Sequence, residues 1–238
     1  MRFLTISKIY SSEKVKHIPS DYRRGLVSLL KEAIQKEDFK FFLEYYKPEK
    51  KNTPKPFTFS TFIPDVVSQD KSLSFSSDII KLNFSTNDIE FFTKTYNGLL
   101  KIVEFPFYSY KIKIEKIFYE KPYIIKENRI KFKTLSPVLL RDHENYNRLY
   151  LLPNNPKYSK QLKYSIFSIA KRFLGIENFE INIQIVSYKP VYFFHYRELI
   201  QGADMILIIE TLPKILQLLY DIGIGSRRSE GFGMLKVV

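Results

Sequence analysis

The residues with the plainest chemistry stand near the end of the chain. In GIGSRRSEGFG, Gly223, Gly225, Gly231 and Gly233 make up four of the chain's eight glycines and enclose the pair Arg227 and Arg228. Glycine carries an entropic cost, tolerated where the backbone must turn unusually or come close to something. The arginines make an anion a natural ligand, because guanidinium offers bidentate contacts to phosphate and amides freed by glycine form an anion-binding nest. A second reading is a plain turn, with Gly223 closing the helical stretch LPKILQLLYDI and the other glycines serving the return into the strand GFGMLKVV. The known nucleotide-binding loops follow a strand and precede a helix. Here that order is reversed, so neither fits.

Other site chemistries are narrowed by composition. With no cysteine there is no disulfide frame and no thiolate zinc site. The three histidines, at positions 17, 143 and 195, have no i, i+4 spacing, and the carboxylates form no convergent cluster in the sequence. No metal and no cofactor is expected. The balance of 38 Lys+Arg against 25 Asp+Glu leaves a formal charge of +13, which favours a polyanionic partner, nucleic acid first. The 17 Tyr and 21 Phe suit an RNA partner, since unstacked bases stack on rings, although most rings are expected in the core. No apolar stretch is long enough to span a bilayer and the first residues lack a signal peptide's apolar run, so a cytoplasmic protein is expected.

The elements that must position these residues follow from periodicity. RFLTISKI reads as a strand, and DYRRGLVSLLKEAIQK as a helix on Leu26, Leu29, Leu30, Ala33 and Ile34, with Asp21 or Ser20 as N-cap. A Lys/Pro-rich loop, YYKPEKKNTPKP, leads to the β-rich runs FTFSTFI and SLSFSSDIIKLNFS. The helix DIEFFTKTYNGLL and the alternating strand SYKIKIEKIFY complete the first half. The second half repeats the order: strand IKFKTLSPVLL, helix YSKQLKYSIFSIAKRFLG, strands FEINIQIVSY and YFFHYRELI through MILIIE, helix LPKILQLLYDI and strand GFGMLKVV. The reading is an α+β chain of two tandem ferredoxin-like (RRM-like) units, each β-α-β-β-α-β, with a C-terminal glycine-rich loop. The expected division is residues 1–121 and 122–238.

In that order of elements, LPKILQLLYDIGIGSRRSEGFGMLKV resembles the C-terminal signature of the CRISPR-associated endoribonucleases that cut precursor CRISPR RNA within its repeats, the sixth Cas family of the RAMP superfamily. HIPSDYRRGLVSLL is similar to that family's first helix and the approach to it, KPFTFS to the start of its second strand, and KTLSPVLLR to its T-x-S-P segment. The resemblance implies tandem ferredoxin-like domains and a protein that binds CRISPR repeat RNA and cuts it once without metal. It implies that the four glycines shape the loop, and that Arg227 and Arg228 contact RNA phosphates. Charge and resemblance together add Lys50, Lys51, Lys133 and Arg141 as RNA-binding candidates.

Metal-free cleavage requires a deprotonated 2′-hydroxyl, a stabilised phosphorane and a protonated 5′-oxygen leaving group, giving a 2′,3′-cyclic phosphate and a 5′-hydroxyl. Many family members use a histidine between the first helix and the second strand, helped by a tyrosine and a lysine. This chain departs there: FKFFLEYYKPEKKNTPKPFTFS has no histidine, and Glu44 stands about where one is expected. Lys55 matches the family's lysine. Lys31 occupies the helix position of its tyrosine, and Tyr45 and Tyr46, in the same loop as the missing histidine, are candidate proton donors or relays. His17 is the nearest histidine to this set, while His195, in the hairpin YFFHYRELI, is expected to face solvent or a neighbouring strand, with contact to RNA as the lesser alternative. The main reading is a slow repeat-specific endoribonuclease. The alternative is a weakly active or inactive repeat-RNA-binding subunit of a CRISPR ribonucleoprotein, with other effector subunits as partners. Either is a monomer or homodimer, and neither is membrane-bound.

Overall fold

The computed structural model describes residues 1–50, 53–69, 71–142, 150–196 and 198–238. The first half runs β1 (Arg2–Tyr10), β2 (Lys16–Pro19), α1 (Arg23–Glu37), α2 (Phe39–Tyr46), β3 (Phe57–Phe62), β4 (Val67–Gln69), β5 (Ser72–Phe75), β6 (Ile79–Thr86), α3 (Ile89–Leu100), β7 (Phe105–Phe107) and β8 (Tyr110–Glu120). The second runs β9 (Arg129–Thr134), α4 (Tyr158–Leu174), β10 (Asn182–His195), β11 (Glu198–Glu210), α5 (Pro213–Ile222) and β12 (Leu235–Val237).

The two main sheets share one plan. The first has the order β3-β6-β1-β8, with β7 added beyond β8, and the second has the order β10-β11-β9-β12. Both place the unit's second strand at one edge, then its third, first and fourth, with helices after the first and third. That is the tandem ferredoxin-like fold expected from the order of elements. Two devices were not foreseen. The run SLSFSSDIIKLNFS is two strands in different sheets, because β5 pairs with β2 and β4 in a separate three-stranded sheet while β6 pairs with β1 and β3. β9 takes in only the first five residues, IKFKT, of IKFKTLSPVLL. Val138 and Leu139 then make single bridges to Ala203 and Ser226.

A third correction bears on the site. Tyr45 and Tyr46 stand on α2, not in a loop. Asp38 caps this helix by accepting from the Phe41 N–H at 2.9 Å, and the Phe41 and Tyr45 rings, four residues apart, pack together against Phe91. An aromatic pair at i, i+4 outweighs the weak helix propensity of the segment.

The first core is aromatic and the second aliphatic. Phe3, Phe57, Phe84 and Phe91 stack between the first sheet and its helices, with Phe57 and Phe91 4.9 Å apart and Phe3 and Phe84 4.7 Å apart. Leu162, Ile166, Leu207, Leu216 and Leu219 fill the second. The two units are tied at β3 and β6: Thr58 Oγ1 donates to Phe232 O at 2.8 Å and Ser85 Oγ to Asp221 O at 2.6 Å. Arg2, buried at the seam, donates to Tyr220 O and, at 2.8 Å, to Leu235 O. No helix among the described residues is long and apolar enough to cross a membrane.

Candidate nucleic-acid interface

The glycine loop runs from the end of α5 to β12, and its tightest neighbours are the protein's own atoms. Gly233 donates to Pro137 O at 2.9 Å and accepts from Ile224 N–H at 2.9 Å, and Ser226 donates to Leu139 O at 2.7 Å. Gly223 and Gly231 donate to Leu219 O and Arg228 O. A methyl group on Gly225 would lie 2.5 Å from Leu139 O, and one on Gly231 would lie 2.7 Å from the Phe59 ring. These glycines let the loop press against the T-x-S-P segment and β3. The amides of Gly223, Gly231 and Gly233 are therefore occupied, which removes them from the expected anion nest.

The two arginines have different surroundings. Arg228 is 7% exposed, donates to Ile222 O at 3.0 Å and lies 5.5 Å from the centre of the Phe173 ring. Burial, reinforced by the nearby charge of Arg172, lowers its pKa to about 10, so it stays charged at neutral pH. Arg227 is half-buried with its Nε donating to Tyr150 Oη at 2.7 Å and its Nη1 to Glu230 Oε2 at 2.9 Å. Its pKa is raised although burial, the largest influence, acts to lower it; Glu230 and Tyr150 outweigh that.

Beside these arginines a cleft of about 480 Å³ opens between the segment Thr53–Lys55, one face of α4 carrying Ser165 and Ser168, and the loop Gly225–Glu230. A second cleft of about 590 Å³ shares Thr53 and Pro54 and adds Tyr45, Asp88 and Arg172. Lys55, Arg227 and Arg228 line the first, and Arg172 the second. The Nζ atoms of Lys31 and Lys55 lie 5.0 and 5.5 Å from the centre of the Tyr46 ring, and the pKa of Lys55 is lowered by burial, then by Lys31 and Arg172. Ser165, Ser168 and Arg172, spaced i, i+3, i+7, form a polar stripe on α4 that sequence reasoning missed; that spacing was the available signal.

Of the catalytic candidates, Lys31, Tyr46 and Lys55 come together. Lys55 is 7% exposed and its ammonium donates to Lys50 O at 2.9 Å and Thr53 O at 2.7 Å, closing the loop before β3. Burial raises the Tyr46 hydroxyl's pKa, and burial with Asp88 close by raises that of Tyr45 to about 12, so both phenols are protonated at neutral pH. Tyr45 turns to the second cleft, its hydroxyl donating to Asp88 Oδ2 at 3.3 Å. His17 lies exposed on β2, paired with Ser74 of β5, and does not line either cleft. Lys50 is exposed beside Lys55, and Arg141 borders the glycine loop, its N–H donating to Ser226 Oγ at 3.4 Å. Lys133 stands apart on β9, where it, Arg23 and Lys189 act against the burial that raises the pKa of Asp204. Lys51 and His143 lie outside the described residues.

His195 corrects its expectation. It is 3% exposed, because the tip of the β10–β11 hairpin folds onto the start of α1, and its ring nitrogens lie 2.7 Å from Asp21 Oδ1 and 2.6 Å from Glu230 Oε2. Asp21 is accordingly not the N-cap of α1. That position is Tyr22, with no side-chain cap bond.

The family model for "CRISPR associated protein Cas6, C-terminal" matches residues 118–237. The chain belongs to the Cas6 family. A putative CRISPR-associated endoribonuclease-like protein Cas6 of Pyrococcus furiosus is 24% identical over 175 residues, covering 71% of this chain and 72% of the relative. The solved structure of a Cas6-related protein from Pyrococcus furiosus superposes with a TM-score of 0.86 at 22% identity, covering 100% of this chain and 98% of that one. A RAMP protein described as binding different RNA substrates superposes with a TM-score of 0.84 at 19% identity, covering 100% and 99%. At these identities the superpositions establish the fold.

Proposed function

We propose that this Cas6-family protein binds CRISPR repeat RNA in the paired clefts and cuts it slowly, by attack of the 2′-hydroxyl on the adjacent phosphate and without a metal. The observation that carries this reading is the convergence of Lys31, Lys55, Arg172 and Arg228 from both halves of the chain on one seam. Like charges held this close disfavour the empty protein and favour it with a polyanion bound. The RNA backbone lies along Arg172 and Arg228, with Arg227, Lys50 and Arg141 at the rim and Lys133 farther out. The glycines set the loop's shape. The units 1–121 and 122–238 each supply one wall.

In the reaction, Lys31 and Lys55 stabilise charge on the phosphorane, and Lys55, whose pKa is lowered, is the better proton donor to the 5′-oxygen. Among the described residues that line the two clefts there is no histidine. Deprotonation of the 2′-hydroxyl is left to hydroxide, and most of the acceleration comes from holding the RNA in line. A tuned acid–base residue supplies about 10²- to 10⁴-fold, which is the rate this site forgoes.

Purified protein is incubated with repeat RNA in excess EDTA, beside a copy whose 2′-hydroxyl at the cut site is replaced by hydrogen. The expected result is one cut in the unmodified RNA alone, at a rate that climbs toward tenfold per pH unit between about pH 6 and 9, as an unbuffered hydroxide-dependent step does. A rate flat across that range, or cutting of the deoxy copy, would refute the mechanism. One observation favours a second reading, an RNA-holding subunit of a CRISPR ribonucleoprotein: the Lys55 ammonium is engaged by two loop carbonyls. Tight binding without a cut selects that reading.

A further inference from the structure

Three segments distant in sequence meet at one imidazole. His195 Nδ1 faces Asp21 Oδ1 at 2.7 Å and Nε2 faces Glu230 Oε2 at 2.6 Å. A neutral imidazole has a single N–H, so one of these contacts would set a ring lone pair against a carboxylate oxygen; the imidazolium donates to both. The remaining groups around the ring complete a closed arrangement. Asp21 Oδ2 accepts from the Tyr196 N–H at 2.9 Å and lies 3.5 Å from Arg24, while Glu230 Oε2 also accepts from Arg227 at 2.9 Å. The rings of Tyr196 and Phe232 flank the imidazole edge-on, and Arg23 lies 4.9 Å from the centre of Phe232. Two carboxylates thus meet one buried imidazole and two partly exposed guanidinium groups.

We propose that His195 is a positioning residue for RNA binding: its doubly protonated ring ties Glu230 to Asp21, and Glu230 in turn holds Arg227 in the orientation in which the glycine loop meets RNA. This rests on the RNA-binding role given to the loop above. The direction with pH follows. The bridge is complete while both ring nitrogens carry protons and loses a donor as pH rises, so RNA affinity is highest at the acid end. Cleavage moves the other way, climbing with pH. Binding and rate are therefore opposed in one protein.

The test measures repeat-RNA affinity at about pH 6 and about pH 8, a range in which an imidazole changes charge. Wild-type protein is expected to bind about tenfold more weakly at the higher pH, the worth of one charge-assisted hydrogen bond. Asp21→Asn should flatten that dependence to within about twofold, because its amide donates to Nδ1 of a neutral ring while its oxygen still accepts from the Tyr196 N–H. His195→Ala should bind about tenfold more weakly at both pH values, with thermal melts showing that it folds. Nitrogen-resolved spectra of the wild-type ring should show two N–H groups at about pH 6. A singly protonated ring there, wild-type affinity independent of pH, or an Asp21→Asn profile matching wild type would overturn the proposal while leaving the RNA reading intact. Absence of RNA binding at either pH overturns the RNA reading, and this role with it.

Discussion

Gly233→Ala is expected to unfold the glycine loop and abolish RNA binding. Gly233 has φ +68°, a left-handed conformation, and a methyl group there would lie 1.9 Å from Ile224 O, a backbone atom that cannot swing aside because Ile224 N–H is itself bonded to Gly233 O. Left-handed backbone costs an L-residue about 1–2 kcal/mol and overpacking a further ~1–3 kcal/mol, so the loss is about 2–5 kcal/mol. For a chain of this length that is a fall in Tm of roughly 5–20 °C. The damage spreads to the seam, because the neighbouring residues Phe232 and Met234 bond to Thr58 and Ser136. Gly175→Ala is the control. Gly175 has φ +67° at the end of α4, but nothing lies within 4 Å of the added methyl, so only the conformational cost of about 1–2 kcal/mol remains. Thermal melts of both variants check this; equal melting of the two would show that the close approach to Ile224 carries no weight.

The second large effect is expected from removing two seam cations together, Lys31→Ala with Arg172→Ala. Both depress the pKa of Lys55 and Arg172 depresses that of Arg228, which means that the folded protein holds these charges together at some cost. Their removal should leave stability unchanged or slightly raised while weakening RNA binding by about one to two orders of magnitude at moderate salt. The slope of log affinity against log salt should fall by about 1.4–1.8, the release of two counterions. Lys113→Ala with Lys116→Ala, exposed cations of β8 that line neither cleft, removes the same charge and serves as the comparison. If both double variants lose affinity equally, net charge and not the seam binds the RNA.

Much of this molecule was legible in one dimension. Strand and helix order follow from apolar spacing, and each β-α-β-β-α-β half has few ways to close a sheet without crossing its own connections. Both sheets accordingly take the expected order. The glycines and arginines of the C-terminal loop, and Lys55 before FTFS, were visible as residue types that chemistry would use. α2 was not, because its stability comes from Phe41 and Tyr45 packing on Phe91, fifty residues away in sequence, rather than from helix propensity.

The neighbours of each residue were decided only in three dimensions. FTFSTF alternates as a half-buried strand should, yet Thr58 and Ser60 are buried as completely as Phe57 and Phe59, because the second unit covers the face they occupy. Four glycines required a close approach to something; tertiary structure made that something the protein's own carbonyls. Asp21 has the residue type and position of a helix cap, but the hairpin tip arrives with a buried imidazole and the Tyr196 N–H, and the Asp21 carboxylate meets these in preference to a solvent-accessible helix end. Local sequence thus determined the elements and the chemical kinds available. Which kinds meet, and which are used up holding the fold together, depended on contacts between residues that sequence separation hides.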